Sequence, residues 1–587
     1  MTIILGLNVS HDATAVIMDI EGNVLAGIAE ERITRKKYHE TFPYRAIMSC
    51  LRVADLAPED ITHVAYNWNC LGSSTYREEI FNPENTNIDW ANKIPLSIAR
   101  KTVLEKFFSK IRNSPEIEDI EFVKKALNYL GISTNHVRSF EHQSCHAASA
   151  FFSSPFDDAL VVSLDGYGDG KAGGVYIGKS RSLECIETID PEVSVGSFYA
   201  NITGALGFKR NRHEGKITGL AAYGDAQKCQ ESLAQFLDLE SKDFNFIRPY
   251  KVKPSLFSKL WSNLIYFMSG KYSNFYFDGI KSCIAKGGFN RKDVSAASQL
   301  ILEKTATKYI EHRCKESGLR KVALAGGVFA NVKLNQCILE LDCVDELFVH
   351  PNMGDGGGAF GAAVLNLIEL NKRYHHKPIK DVFWGPEFSD EEIELSLKAS
   401  GLNYTRPKNI EKETAELLAE GKVVGRFNGR MEYGPRALCN RSILVQPTNR
   451  DLNDSLNKRL NRTEFMPFAP VVLESHANEI FEGFKESRLP CKFMTITTKV
   501  KEEWINRIAA VVHIDDTARP QWVSHEYNPS CAKILNYYYE KTGLPVLVNT
   551  SFNKHEEPIV CDPKEAIHAF QTNAIDALSI GSFLIEH

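Results

Sequence analysis

Short apolar runs along the chain end in polar or glycine-rich turns, the pattern of buried strands that feed loops at a sheet edge. Ile3-Ile-Leu-Gly-Leu-Asn8 is the first such run, followed by Thr14-Ala-Val-Ile-Met18, a turn at Asp19-Ile-Glu-Gly-Asn23 and Val24-Leu-Ala-Gly-Ile-Ala29. The same plan recurs at Ala159-Leu-Val-Val-Ser-Leu-Asp165, Gly166-Tyr-Gly-Asp-Gly170 and Gly174-Val-Tyr-Ile-Gly178. Two strand–loop–strand openings, each feeding helices, predict two related lobes of an α/β domain. A capped amphipathic helix is predicted from Asp293, closing near Gly318. Lys321-Val-Ala-Leu-Ala325 runs into Gly326 and Gly327, and Gly354-Asp-Gly-Gly-Gly358 repeats that junction before another helix. Glycine turns at two strand-to-helix junctions suit a nucleotide held between lobes. Stretches near 40–140 and 225–292 read as helical and loop insertions, and Leu370-Asn-Lys-Arg-Tyr-His-His-Lys-Pro378 as a polar link. Domains are therefore expected at 1–375 and 380–587.

Candidate chemistry sharpens this outline. His142 and His146 stand four residues apart in Glu141-His-Gln-Ser-Cys-His146, so on a helix both imidazoles share one face and can reach one ion. Two helix histidines at this spacing are commonly structural. Asp165, at the tip of the next apolar run, adds a carboxylate and favours a divalent transition metal, with iron, zinc and manganese as candidates. The second half carries arginines beside glycines and strand edges: Arg430, Arg436, Arg441 and Arg519. Guanidinium forks pair phosphate or carboxylate bidentately, so these four predict an anion pocket.

With 587 residues the chain exceeds one ordinary core, in keeping with two domains. Its net charge of −5 gives no general attraction to nucleic acid or an anionic membrane, leaving only a local basic patch open. The thirteen cysteines show no C-x-x-C spacing, which reads as reduced thiols in a cytoplasmic protein. The N-terminus reads as a first strand, and no stretch has the apolar length of a membrane span.

Taken together, the motifs resemble the O-carbamoyltransferases of antibiotic, toxin and nodulation-factor biosynthesis. The N-terminal half is also similar to the tRNA threonylcarbamoyladenosine transferase. The resemblance rests on His11-Asp-Ala-Thr14, Ala29-Glu-Glu-Arg-Ile-Thr-Arg-Lys-Lys37, His142-x-x-x-His146, Leu164-Asp-Gly166, Glu214-Gly-Lys-Ile-Thr-Gly-Leu-Ala-Ala-Tyr-Gly224, Ala325-Gly-Gly-Val-Phe-Ala-Asn331 and Gly354-Asp-Gly-Gly-Gly358. In the second half it adds Gly429-Arg-Met-Glu-Tyr-Gly-Pro-Arg436, Pro467-Phe-Ala-Pro470, Asp515-Asp-Thr-Ala-Arg519 and Asn549-Thr-Ser-Phe-Asn553.

The resemblance implies a two-lobed actin-like ATPase (ASKHA) domain followed by a YrdC-like α/β domain. Carbamoyl phosphate and ATP, with Mg2+, would give a carbamoyl-adenylate at the second domain, and the first would pass the carbamoyl group to a hydroxyl of a sugar, nucleoside or natural product. It implies a metal, iron first, held by His142, His146, Asp165 and also Asp355, with His11 as the base on the acceptor side. Lys36, Lys37, Gly166, Gly326, Gly327, Asn331, Gly356 and Gly357 would contact the nucleotide. Arg430, Arg441, Ser442, Asn549, Ser551 and Asn553 would hold the second pocket, with Arg436 and Arg519 catalytic. The expected partners are carbamoyl phosphate and a small hydroxyl acceptor, with no membrane and a homodimer as candidate assembly.

The second half departs from the family pattern. Leu460, Met466 and His555 replace expected cations, and Glu556 replaces a glycine. A phosphate pocket that loses cations and gains a carboxylate binds a dianion less well. Lys458 and Lys554 are candidate substitutes, and the competing expectations are another donor or a non-catalytic partner role.

Overall fold

The computed structural model describes residues 2–9, 11–69, 115–237, 274–461 and 467–587. The first five strands are β1 (Ile3–Asn8), β2 (Thr14–Asp19), β3 (Val24–Ala29), β4 (His63–Tyr66) and β5 (Val137–Ser139). They form one sheet in the order β3-β2-β1-β4-β5. The next five, β6 (Asp158–Gly168), β7 (Lys171–Lys179), β8 (Ser182–Ile189), β9 (Lys321–Ala325) and β10 (Glu346–Val349), form a second sheet ordered β10-β9-β6-β7-β8. In each, an antiparallel meander of three strands continues into two parallel ones. The lobes thus repeat one topology, that of the two-lobed actin-like ATPase fold.

Why these strands read as unbroken apolar runs is visible in their two faces. Ile3, Leu5 and Leu7 enter the outer core of the first lobe, whereas Ile4 points into a cluster shared by both lobes. Likewise Leu160, Val162 and Leu164 pack outward while Ala159 and Val161 face the shared cluster. A strand buried on both faces has no polar side to present. The shared cluster is filled by two helices, His142–Ser153 through Ala147 and Phe151, and Gly358–Leu370 through Ala363 and Leu367. Both run from the cleft into the core, which fixes the direction of any side chain at their first turns.

The helix predicted from Asp293 spans Arg291–Ser317, with Asn290 as its cap and Gly318 at φ 71° ending it. Asp293 is instead the third helical residue, its carboxylate accepting from the Asp225 N–H and facing Lys228. After an irregular stretch at 371–388 the chain builds a separate mixed sheet of seven strands, ordered β16-β13-β17-β12-β11-β18-β19. Its members are β11 (Val424–Phe427), β12 (Arg441–Val445), β13 (Ala469–Leu473), β16 (Gln521–Val523), β17 (Val546–Ser551), β18 (Ala577–Ile580) and β19 (Phe583–Glu586), while β14 (Thr498–Lys499) and β15 (Thr517–Ala518) pair apart from it. The cysteines of the described residues are free thiols, and no helix among those residues is long and apolar enough to cross a membrane.

Candidate metal centre and domain seam

His142 is the first residue of its helix, and the helix start is pinned twice. The Glu141 carboxylate accepts from the Gln143 and Ser144 N–H groups, and that of Asp169 from the His142 N–H at 3.0 Å. Gly168 leaves the imidazole its room, since a Cβ there would lie 2.1 Å from the His142 ring. Trp68 covers the ring with centroids 4.2 Å apart. One turn on, His146 places its Nε2 3.0 Å from the Nε2 of His142. Asp165, near the end of β6, approaches both nitrogens at 3.4 and 3.7 Å, and Asp355, from the glycine turn after β10, at 3.6 and 3.5 Å. One ligand atom from each of the four lies within 4.8 Å of the others.

Two buried imidazoles and two carboxylates at these distances are held only by shared protons or by a bound cation, and the donor set suits a divalent transition metal. Burial resists charge on the histidines, but Asp355 and Asp165 outweigh it and hold both imidazoles above their ordinary range. The carboxylates in turn are held low, Asp165 at about 2, because the imidazoles overcome burial and mutual repulsion.

His11 stands beside this group, its Nδ1 3.2 Å from Asp12 and 4.0 Å from Asp355. Asn8 donates to the His11 and Asp12 carbonyls, which fixes the loop that carries it. Burial lowers its pKa, yet Asp12, Asp355 and Glu40 together raise it to about 10. A cation shared with Asp355 would oppose that rise, so the ring's ability to accept a proton is coupled to the filling of the centre. Gly326, at φ 102°, has no room for a Cβ against the Leu164 carbonyl, and the Gly327 N–H donates to Asp165. Gly356 and Gly357 lie in the Asp355 turn, and Gly166 opens onto unfilled space. Asn331 is engaged as a helix cap and with Gln299 and Thr218.

Residues 30–40 line the seam between the two halves. Arg32 donates to the Gly434 carbonyl, and Arg35 to those of Pro558 and Ile559. Lys36, lowered chiefly by burial, and Lys37 follow on the same segment. Tyr433 donates its hydroxyl to the Gly356 carbonyl, so the loop of Arg436 reaches the turn that carries Asp355.

The predicted cations of the second half separate into two groups. Arg430 donates to the carbonyls of Leu25, Trp384 and Gly385, and Arg441 to those of Asn428, Asn440 and Pro386 while stacking 3.7 Å over Phe427. These guanidinium groups pin backbone, and the structure does not bring their engaged donors to an anion. Arg436 makes no such bonds among the described residues, its Nε being buried without a partner. Ser442 and Ser551 face each other across β12 and β17, and Asn549 donates to Ala437 O and Gln521. Arg519 lies half-buried in the link between β15 and β16, and Asn553 ties its own loop through the Lys554 and Glu557 carbonyls. Leu460 lies in the core with its carbonyl accepting from the His555 N–H. Met466 lies outside the described residues.

Sequence reasoning missed three contributors. Asp169 holds the helix start, and Glu432, buried, accepts from the Leu438, Asn440 and Arg441 N–H groups to shape the arginine loop. Tyr38, at φ 56°, stacks 6.1 Å from His11. The acid within the glycine-rich turn Gly166–Gly170 and the acid within Gly429–Arg436 were the available signals.

A two-lobed α/β domain thus carries a histidine–carboxylate cluster at its cleft and is followed by a second α/β sheet. The chain matches the family models described as carbamoyltransferase N-terminus over residues 3–364 and carbamoyltransferase C-terminus over 415–587. It belongs to the carbamoyltransferase family and is a transferase. It is 32% identical to nodulation protein NolNO of Sinorhizobium fredii over 98% of this chain and 79% of that protein. It is 34% identical to nodulation protein NolO of Bradyrhizobium diazoefficiens, over 76% of this chain and 78% of the relative. Among solved structures it is similar to HypF of T. kodakarensis, at 15% identity over 63% of this chain and 48% of that one, with a TM-score of 0.30.

Proposed function

We propose that the protein is an ATP-dependent O-carbamoyltransferase, with residues 380–587 forming carbamoyl-adenylate and residues 1–375 transferring its carbamoyl group to a hydroxyl. The observation that carries this reading is the convergence of His142, His146, Asp165 and Asp355 beside His11 in a chain of this family. In the first step one water cleaves carbamoyl phosphate to carbamate and phosphate, and a carbamate oxygen then attacks the α-phosphorus of ATP, held as its Mg2+ complex, forming the adenylate and expelling pyrophosphate. Arg436 offers its uncommitted donors to the reacting anion, with Arg519, Ser442, Ser551, Asn549 and Asn553 around it. Arg430 and Arg441 support that pocket by holding its backbone.

In the second step the acceptor oxygen attacks the carbamoyl carbon, a C–O bond forms, and the anhydride breaks with AMP as leaving group. His11 takes the hydroxyl proton. Lys36 and Lys37 steer the adenylate along the seam, and the backbone at Gly166, Gly326, Gly327, Gly356 and Gly357, with Asn331, holds its nucleotide. The four ligands would hold a divalent metal, iron by preference with zinc or manganese as alternatives, which when bound polarises oxygen and supplies positive charge.

The test uses purified, metal-loaded protein with ATP and carbamoyl phosphate and no acceptor. AMP and pyrophosphate that depend on carbamoyl phosphate, and vanish in Arg436→Ala, support the reading. ADP in their place indicates a kinase-type reaction. No nucleotide turnover by protein that still binds ATP indicates another donor or a second domain without the first step, as the losses at 460, 466 and 555 would allow.

A further inference from the structure

Glu556, where the family pattern has glycine, adopts φ 60°, a left-handed conformation that a glycine would take without strain. Its carboxylate lies 3.6 Å from His555 Nε2 of its own loop and also reaches residues of the first half. The Nε2–H of His213 donates to Glu556 Oε1 at 3.0 Å, and Lys209 Nζ stands 3.8 Å from its other oxygen. The Lys209 N–H donates to His213 Nδ1, which selects the tautomer that presents Nε2–H to the carboxylate without protonation of the ring. The added carboxylate, expected from sequence to repel a phosphate, instead spans the seam to the other half of the molecule.

The loop it grasps borders the candidate centre. Tyr38, also left-handed, reaches from beside His11 to the Arg212 carbonyl at 3.5 Å, and Arg212 lies 5.5 Å over its ring. Asn211, left-handed too, donates its N–H to Glu214, the residue after His213. Left-handed residues on three segments, Glu556, Tyr38 and Asn211, thus meet where the 553–559 loop, the His11 side and the 207–214 loop approach each other.

Resting on the proposed function, we infer that Glu556 and His213 are positioning residues that clasp the two halves and close the passage between the adenylate-forming pocket and the metal centre. A carbamoyl-adenylate formed in the second half is thereby kept from water until an acceptor takes it. Neither residue touches the reacting atoms.

The experiment follows pyrophosphate release by the full chain given only ATP and carbamoyl phosphate. Wild type should release about one equivalent in a burst and then slow, because the trapped adenylate blocks further turnover. Glu556→Gly and His213→Ala should keep the burst and raise the later steady rate at least tenfold, the double variant matching the singles, while Glu556→Gln stays near wild type. Equal steady rates in wild type and Glu556→Gly overturn the inference. Hydrogen exchange supplies a readout independent of activity: residues 207–214 and 553–559 should both exchange faster in Glu556→Gly. Unchanged exchange there removes the clasp whatever the kinetics. If wild type releases no pyrophosphate, the functional reading fails, and the sealing role falls with it even where exchange still reports the contact.

Discussion

At the candidate metal centre four ionisable side chains face one another, whereas two arginines of the second half are turned to backbone carbonyls. His142, His146, Asp165 and Asp355 contact mainly each other, so they are held by shared protons or by a bound cation. Arg430 and Arg441 make six carbonyl contacts between them, although the buried Nε of Arg441 is left over. The difference shows that charge and burial alone do not mark a binding site. What marks it is donor or acceptor capacity left over after the fold has taken its share.

The largest effect should come from breaking the first side of that contrast. Asp355→Ala removes a ligand and the carboxylate nearest His11 across the cleft, so bound metal should fall from about one per chain to none. Transfer should fall by more than ~100-fold, since even outer partners of a metal site are worth 10–100-fold. Pyrophosphate release should persist. Metal analysis after desalting, run beside that assay, checks both, and full metal occupancy in the variant would place the ion elsewhere.

The second contrast lies within the arginines. Arg436→Ala should reduce carbamoyl phosphate-dependent pyrophosphate release by ~100-fold, the scale of losing one charge-stabilising donor, with an unchanged melting temperature. Arg430→Ala should do the reverse. Its donors hold three carbonyls, and hydrogen bonds to charged groups contribute about 1.5–3 kcal/mol each, so melting should drop by several degrees while the rate per folded molecule holds. Thermal melts and steady-state assays on the two variants separate the roles.

Much of the first half was legible because its signals are local. Unbroken apolar runs identify strands buried on both faces, and a four-residue histidine spacing identifies one helix face. The fourth ligand was not local: Asp355 follows Asp165 by nearly two hundred residues, and only the repeated topology brings β6 and β10 to the same end of a sheet. The second half was harder for the same reason. Arg430 and Arg436 look alike in sequence, and which of them is free to bind depends on whether Leu25, Trp384 and Gly385 present carbonyls nearby. Glu556 was read as a repulsive charge because its partner, His213, is more than three hundred residues away.

The smallest effect tests whether the seam segment is charged for binding or for structure. Glu30 precedes Lys36 and Lys37 on the same stretch, but its carboxylate is buried, 3% exposed, and accepts from the Arg45 and Ala46 N–H groups at the start of the helix Tyr44–Ala54. Burial, partly offset by those bonds, raises its pKa to about 7. A carboxyl whose folded pKa exceeds its unfolded value binds more protons when folded, so its contribution to stability is present at low pH and is lost as pH rises through about 7. A pKa that differs by one between the folded and unfolded chain corresponds to about 1.4 kcal/mol, which puts the loss at a few kcal/mol. Protection of the Tyr44–Ala54 amides, corrected for intrinsic exchange, should therefore fall between pH 4.5 and 7 in wild type and stay level in Glu30→Gln. Metal content should not differ between the two proteins across that range beyond what the ligands themselves dictate. A level profile in wild type would mean that Glu30 is already ionised by a partner at the seam, and that this carboxylate belongs with the binding charges of the cleft rather than with the structural ones.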